Sequence, residues 1–468
     1  MKIIFGYDVM TYNGEIPNCL HPKFLNTIYE ASDFDYSMSG EHFQKRWNIG
    51  WPIYNSNFWN DYVEKKSVYD IVTNHKNKTW FYPVEPFGSI ESFFGNDNVF
   101  KQLMLNQISK VALNEIKNGN GNLLINYIVD GGLGMTKSNF KKLINFTKEN
   151  GIPDEKVFLI FQDFKLKNNL EKMGVKYNVI DFNLAHLSKS QEFNNIINNP
   201  DFRFWGETSH EPQVGKAKSV QNSILMNDEL MNSIGTDKVD FLYLCRHWKL
   251  HRILILSKLH KLGKLFTDNI SWDKNFYHQN VIDEFEKHDD NKDLSNILKV
   301  TSRNLDCDDL TKIAGYGFEN KDIYLSSYLS LVSESIFFQI REEEDVYVEF
   351  PTGYLSEKIW KPIGHSHPFI LIGPAKSLQY IQNMGYKTFH PYIDESYDIE
   401  TDDFKRLELI KKEIDKFSNK TKEEKDAFLN DVSDVLKHNQ KLFLEYSKQK
   451  YKEDCRKVIT KLAGESIL

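Results

Sequence analysis

Residues 121–161 read GNLLINYIVDGGLGMTKSNFKKLINFTKENGIPDEKVFLIF, and the fold turns on how they are parsed. Leu123 to Val129 (LLINYIV) reads as a buried strand that stops at Asp130-Gly131-Gly132. Ser138 to Asn150 carries apolar residues at helical spacing, with Gly151 as a C-terminal stop and Pro153 just beyond. Val157 to Phe161 is an apolar run and the next strand. Strands separated by single helices predict a parallel sheet covered on both faces.

Working outward, Lys2 to Tyr7, Thr79 to Val84 and Val175 to Ile180 read as further strands of the same alternating pattern. Asn98 to Asn118 reads as an amphipathic helix, ended by the turn Asn118-Gly119-Asn120-Gly121. Around Gly235-Thr236-Asp237 the pattern restarts: Asp240 to Leu244 as a strand, then Leu250 to Leu262 as a helix. Ser330 to Phe338 and Pro368 to Ile372 read as strands flanking a helix that starts near Ser356. From about Asp402 to Leu468 the chain is charged and periodic, enough for about three helices. The prediction is an α/β protein of two Rossmann-like domains facing a cleft, residues 1–236 and 237–400, with a helical C-terminal segment over 401–468.

With 40% hydrophobic and 27% charged residues, the chain of 468 is globular in composition, and its net charge of −7 excludes a globally basic nucleic-acid coat. Cys19, Cys245, Cys307 and Cys455 stand far apart with no CxxC pair, which argues for reduced thiols and against a zinc or disulfide framework. The opening apolar run reaches Asp8 too soon for a secretion signal, and no stretch has the ~18 apolar residues of a membrane helix. A cytoplasmic protein with no membrane span is the expectation.

Three segments carry candidate chemistry. In Phe350-Pro351-Thr352-Gly353-Tyr354-Leu355-Ser356-Glu357-Lys358-Ile359-Trp360, Ser356 is a good N-cap, so Glu357 and Lys358 open a helix. A helix N-terminus presents unpaired N–H groups and a positive dipole end, suited to a diphosphate. Lys358 adds a full charge there, and Glu357 can accept hydrogen bonds from hydroxyls. The second segment, Cys245 to Arg252, follows a strand and opens a helix; Arg246 and Arg252 are its candidate phosphate clamps. From Arg246 to Lys264 it carries six basic residues and no acid. In the third, Glu334 ends the apolar strand SLVSES, where a carboxylate needs a partner or a ligand. Asp130 and the cluster Glu207, His210 and Glu211 are candidate general bases. The chain lacks GxxxxGK[ST], HExxH and GxSxG.

Together, Arg252 in its turn, Glu334 in VSES, Ser356-Glu357-Lys358-Ile359-Trp360 and Pro368-Phe369-Ile370-Leu371-Ile372-Gly373 resemble the donor-binding domain of two-domain (GT-B) glycosyltransferases. The pattern looks most like the fucosyltransferase type, and the run from Ser356 to Asp398 is similar to a block in uncharacterised phage and bacterial glycosyltransferase-like proteins. The resemblance covers about residues 239–400. The Phe-Glu-Asn of fucosyltransferases is absent from the VSES strand, and the sugar stays open.

The resemblance implies a glycosyltransferase that moves a sugar from a nucleotide-diphosphate donor to an acceptor hydroxyl, metal-independent and inverting. It puts Glu357 and Lys358 on the nucleotide-sugar and Arg252 on the diphosphate, with Glu334 and Tyr354 near the nucleotide or sugar. Asp130 is the first choice of catalytic base. The implied partners are the donor and a glycan or, given the basic stripe, a modified base in DNA; no cofactor or metal is expected. The alternative is a non-catalytic nucleotide- or carbohydrate-binding protein of the same fold.

Overall fold

The computed structural model describes residues 3–7, 63–84, 105, 108–127, 137–198, 224–245, 247–276, 278–303, 321–338, 353–447 and 451–463. The protein is α/β, with two parallel sheets in two compact units. One unit comprises Met1–Leu184, Phe350–Thr352 and Gln449–Leu468, the other Ala185–Glu349 and Gly353–Lys448.

In the first unit, β1 (Ile3–Tyr7), β2 (Val63–Ser67), β3 (Trp80–Val84), β4 (Gly121–Tyr127), β5 (Val157–Phe161) and β6 (Asn178–Asp181) align in the order β2-β1-β3-β4-β5-β6. Every neighbouring pair is parallel. The connections contain α1 (Val68–Asn74), α2 (Lys110–Asn118), α3 (Lys137–Glu149) and α4 (Leu166–Lys172). The 121–161 stretch forms the expected strand–helix–strand unit, with Leu123 beside Val157 and Tyr127 beside Phe161. Two glycines let the strands close around Trp80: a Cβ at Gly6 would lie 2.4 Å from its indole ring and one at Gly121 2.8 Å.

Helix α2 is shorter than its apolar spacing predicts. Ser109 accepts a hydrogen bond from the Ala112 N–H at 3.1 Å and caps the helix there, leaving Leu105 and Ile108 outside it. Strand β2, VEKKS, escapes sequence reading because an edge strand rich in charge has no apolar run.

The second unit contains α5 (Leu184–Asn198), α6 (Asn227–Asn232), β7 (Val239–Leu244), α7 (Leu250–Lys261), β8 (Asn269–Ser271), α8 (Gln279–His288), α9 (Lys292–Val300) and α10 (Lys321–Leu325). Then follow β9 (Ser327–Ser333), α11 (Glu357–Gly364), β10 (Phe369–Ile372), α12 (Ser377–Asn383), α13 (Asp403–Ser418) and α14 (Lys422–Glu445). The strands align as β10-β9-β7-β8, all parallel. Every residue of β9 and β10 is buried, as a sheet covered on both faces requires.

From β7 the chain passes to β8 on one side and then crosses to β9 on the other, so the strand order reverses between β7 and β9. The carboxyl ends of strands at such a switch are where open α/β sheets bind ligands. The helices expected as a separate C-terminal segment belong to the two units. Helices α13 and α14 pack into the second through Ile410, Ile414, Leu429, Val432 and Phe443. The last helix, α15 (Tyr451–Ala463), packs against β1 in the first. Among the described residues no helix is long and apolar enough to cross a membrane.

Candidate functional site

Strand β9 ends at Ser333, and Glu334 follows at the carboxyl edge with 0% exposure. Its backbone continues the sheet by one bond, the Glu334 N–H donating to the Ile372 carbonyl at 2.9 Å. Its side chain turns to the start of α11. Oε2 accepts from the Ser356 hydroxyl at 2.6 Å and from the Ser356 N–H at 3.0 Å. Oε1 is buried and takes no hydrogen bond from any described residue. Burial raises the carboxyl above its usual range, against the pull of Lys358 and the Ser356 hydrogen bonds.

Helix α11 forms because Ser356 caps it and Ile359, Trp360 and Ile363 give it a buried face. The Ser356 hydroxyl accepts from the Lys358 N–H at 3.4 Å while donating to Glu334. The helix ends at Gly364, with Pro362 inside it unable to donate to the carbonyl one turn back. In its first turn the Lys358 ammonium gives its three hydrogen bonds to Glu357 Oε1 at 3.0 Å, Ser356 Oγ at 3.1 Å and Ser335 Oγ at 3.2 Å. The Lys358 side chain keeps 28% of its surface and that of Glu357 16%, so this pair is the open side of the site. Burial works against ionisation of Glu357, but Lys358, Lys361 and Lys189 outweigh it and hold the carboxyl at about 2.

Arg252 sits behind these groups in the first turn of α7, 4% exposed. Its guanidinium donates to the carbonyls of His247 at 2.9 Å, Glu334 at 3.1 Å and Ser333 at 3.4 Å, which ties the β7–α7 turn to the end of β9. Lys249, the residue before α7, reaches the Ser335 carbonyl at 2.7 Å. The His251 ring also meets the Glu334 carbonyl, at 3.1 Å from Nε2, and stacks on Phe337. Burial, with Arg252 and Lys249 nearby, holds this histidine well below its usual range. At the end of β7, burial pushes the Cys245 thiol up to about 11.

The structure thus brings together Glu334, Ser356, Glu357, Lys358 and Arg252 at the switch point. Tyr354 is buried just before the cap. Arg246, Asp130, Glu207, His210 and Glu211 lie outside the described residues. Sequence reading did not single out Ser335, Lys249 or His251 as site residues; position beside a strand end is the signal they share. The basic stripe along and just beyond α7 is matched by acids: Lys258 pairs with Asp415, Lys261 with Asp289 and Lys264 with Asp240.

No protein-family model, curated protein or solved structure matches this chain.

Proposed function

We propose that the protein is a glycosyltransferase that takes a sugar from a nucleotide-diphosphate donor, with the diphosphate at the start of α11. The observation that supports this reading is the convergence of the helix N-terminus, the Lys358 ammonium and the Glu334, Ser335 and Ser356 polar groups at the switch point of a parallel sheet. In this reading the acceptor oxygen attacks the anomeric carbon, and the bond from that carbon to the diphosphate oxygen breaks. The electron pair leaves with the phosphate, where Lys358 and the first N–H groups of α11 stabilise the growing charge.

The acceptor proton passes to a carboxylate of the first unit, for which Asp130 is the choice. The two-lobed GT-B arrangement, inversion and independence of metal belong to the same proposal. Arg252 acts in it by fixing the strand ends that carry Glu334 and Ser335. A glycan is the acceptor class favoured, since Lys258, Lys261 and Lys264 already face carboxylates and leave little of the basic stripe for DNA.

Thermal unfolding with UDP, GDP, CDP and their common sugar conjugates tests the reading. At 100 times its Kd the right ligand adds about 2.7 kcal/mol of stability to the wild type. Lys358→Ala removes that gain. Release of free sugar or its transfer separates an enzyme from a non-catalytic binding protein, which gives the shift without turnover. The absence of a shift with every nucleotide overturns the assignment.

A further inference from the structure

The charge balance at Lys358 is already closed within the protein. An ammonium has three N–H groups, and all three are used, by Glu357, Ser356 and Ser335. One of those partners is an anion. The Glu357 carboxylate therefore occupies, in the free protein, the position on Lys358 that a phosphate oxygen would take. With its pKa near 2 it stays ionised throughout the neutral range. Lys358 is ion-paired with this resident carboxylate at 3.0 Å, and the more distant charges of Lys361 and Lys189 add to the field that keeps it ionised. A bare phosphate that displaces it gains one ionic contact and loses another, with two anions left side by side in a half-buried place where water screens them poorly.

Resting on the diphosphate reading above, we propose that Glu357 is a specificity-determining residue: it excludes bare phosphate and pyrophosphate from Lys358 and admits diphosphates whose hydroxyl groups hydrogen-bond the displaced carboxylate. The exposed part of the Glu357 side chain is the surface such hydroxyls reach. The buried Glu334 carboxyl behind Ser356 holds the cap in place, so the exchange takes place at Glu357 alone while α11 keeps its start. Nucleoside diphosphates and their sugar conjugates meet the requirement; inorganic pyrophosphate carries a charge close to that of a nucleoside diphosphate and none of the hydroxyls.

Calorimetric titration of the full chain with inorganic pyrophosphate and with UDP, GDP and CDP tests this on the wild type, Glu357→Gln and Glu357→Asp. The wild type is expected to prefer its nucleoside diphosphate over pyrophosphate by tenfold or more. Glu357→Gln, which keeps the shape and removes the charge, is expected to bind pyrophosphate about tenfold tighter than the wild type and the nucleoside diphosphate no tighter, so the preference collapses. Glu357→Asp keeps the charge and keeps pyrophosphate weak, which separates loss of the anion from loss of local structure. If nucleoside diphosphate binds and pyrophosphate affinity is unchanged or weaker in Glu357→Gln, the filter is overturned and the diphosphate site stands. If neither ligand binds the wild type or Glu357→Gln, the diphosphate reading falls and this inference with it.

Discussion

The two units place their first strands alike: each sets its second strand on one side of the first and its third on the other. They bury different chemistry. Among the described residues of the first unit, the buried polar side chains are mostly hydroxyls and amides, such as Thr147, Gln162, Asn169 and Asn183, with Asp163 as an acid. The second unit buries His251, Arg252, Glu334, His365, His367, Arg406, Glu413 and Lys425. Parallel topology with apolar strands is therefore sufficient for a sheet. Burying ionisable groups is a separate feature, and three of them, His251, Arg252 and Glu334, gather where a strand end and a helix start meet. Such groups are tolerated only when paired or hydrogen-bonded, which makes the second unit the more sensitive of the two.

The largest test of this contrast is Arg406→Ala. The Arg406 guanidinium donates to the Gly373, Glu400 and Phe337 carbonyls and pairs with Asp403, at 2% exposure. Its loss is expected to cost ~3–5 kcal/mol, read by chemical denaturation. In the first unit the nearest counterpart, the half-buried Lys156 on the Gly119 carbonyl, is expected to cost ~1 kcal/mol when replaced by Ala. Equal costs would break the comparison.

Acid separates the units next. Burial holds His251 and His365 well below the ordinary histidine value of 6.5 and His367 down to about 4. An imidazole neutral in the fold and protonated in the unfolded chain stabilises the fold fully above 6.5, and that contribution is lost as pH falls toward the folded value. Each such group loses about 1.4 kcal/mol per pH unit over its window. Glu357 adds to this between 4.5 and about 2, while Glu334, raised by burial, has the opposite sign and weakens the fold as pH rises through its range. Hydrogen exchange at falling pH should show the second unit losing protection before the first; loss in both together would count against the contrast.

The smallest test compares two serine caps. Ser109→Ala in the first unit removes one cap bond and is expected to cost ~1 kcal/mol. Ser356→Ala also takes a hydroxyl from Glu334, whose other oxygen takes no hydrogen bond from any described residue, and is expected to cost ~2–3 kcal/mol. Thermal unfolding of the pair sharpens the claim that the cap at α11 serves a buried carboxyl as well as a helix.

Much of the fold was legible in the sequence because its signals are local. The apolar runs at β4, β5, β7 and β10 and the stops at Gly151 and Gly119 are set by neighbours within a few residues. So was the start of α11, since an N-cap serine before Glu-Lys is a short-range pattern. The charged edge strand β2, the three-residue β8 and the true start of α2 were not legible, because edge pairing and a competing cap decide them.

By itself, then, the sequence determined an α/β chain of parallel strands, with Ser356, Glu357 and Lys358 opening a helix. Only the tertiary structure decided what those residues face. It turned Arg252 onto the carbonyls of Ser333 and Glu334, brought the buried Glu334 carboxyl to Ser356, and divided the C-terminal helices between two units. The reason is physical. Helix and strand periodicity are encoded over neighbouring positions, whereas the partner of a buried charge arrives from residues tens or hundreds of positions away.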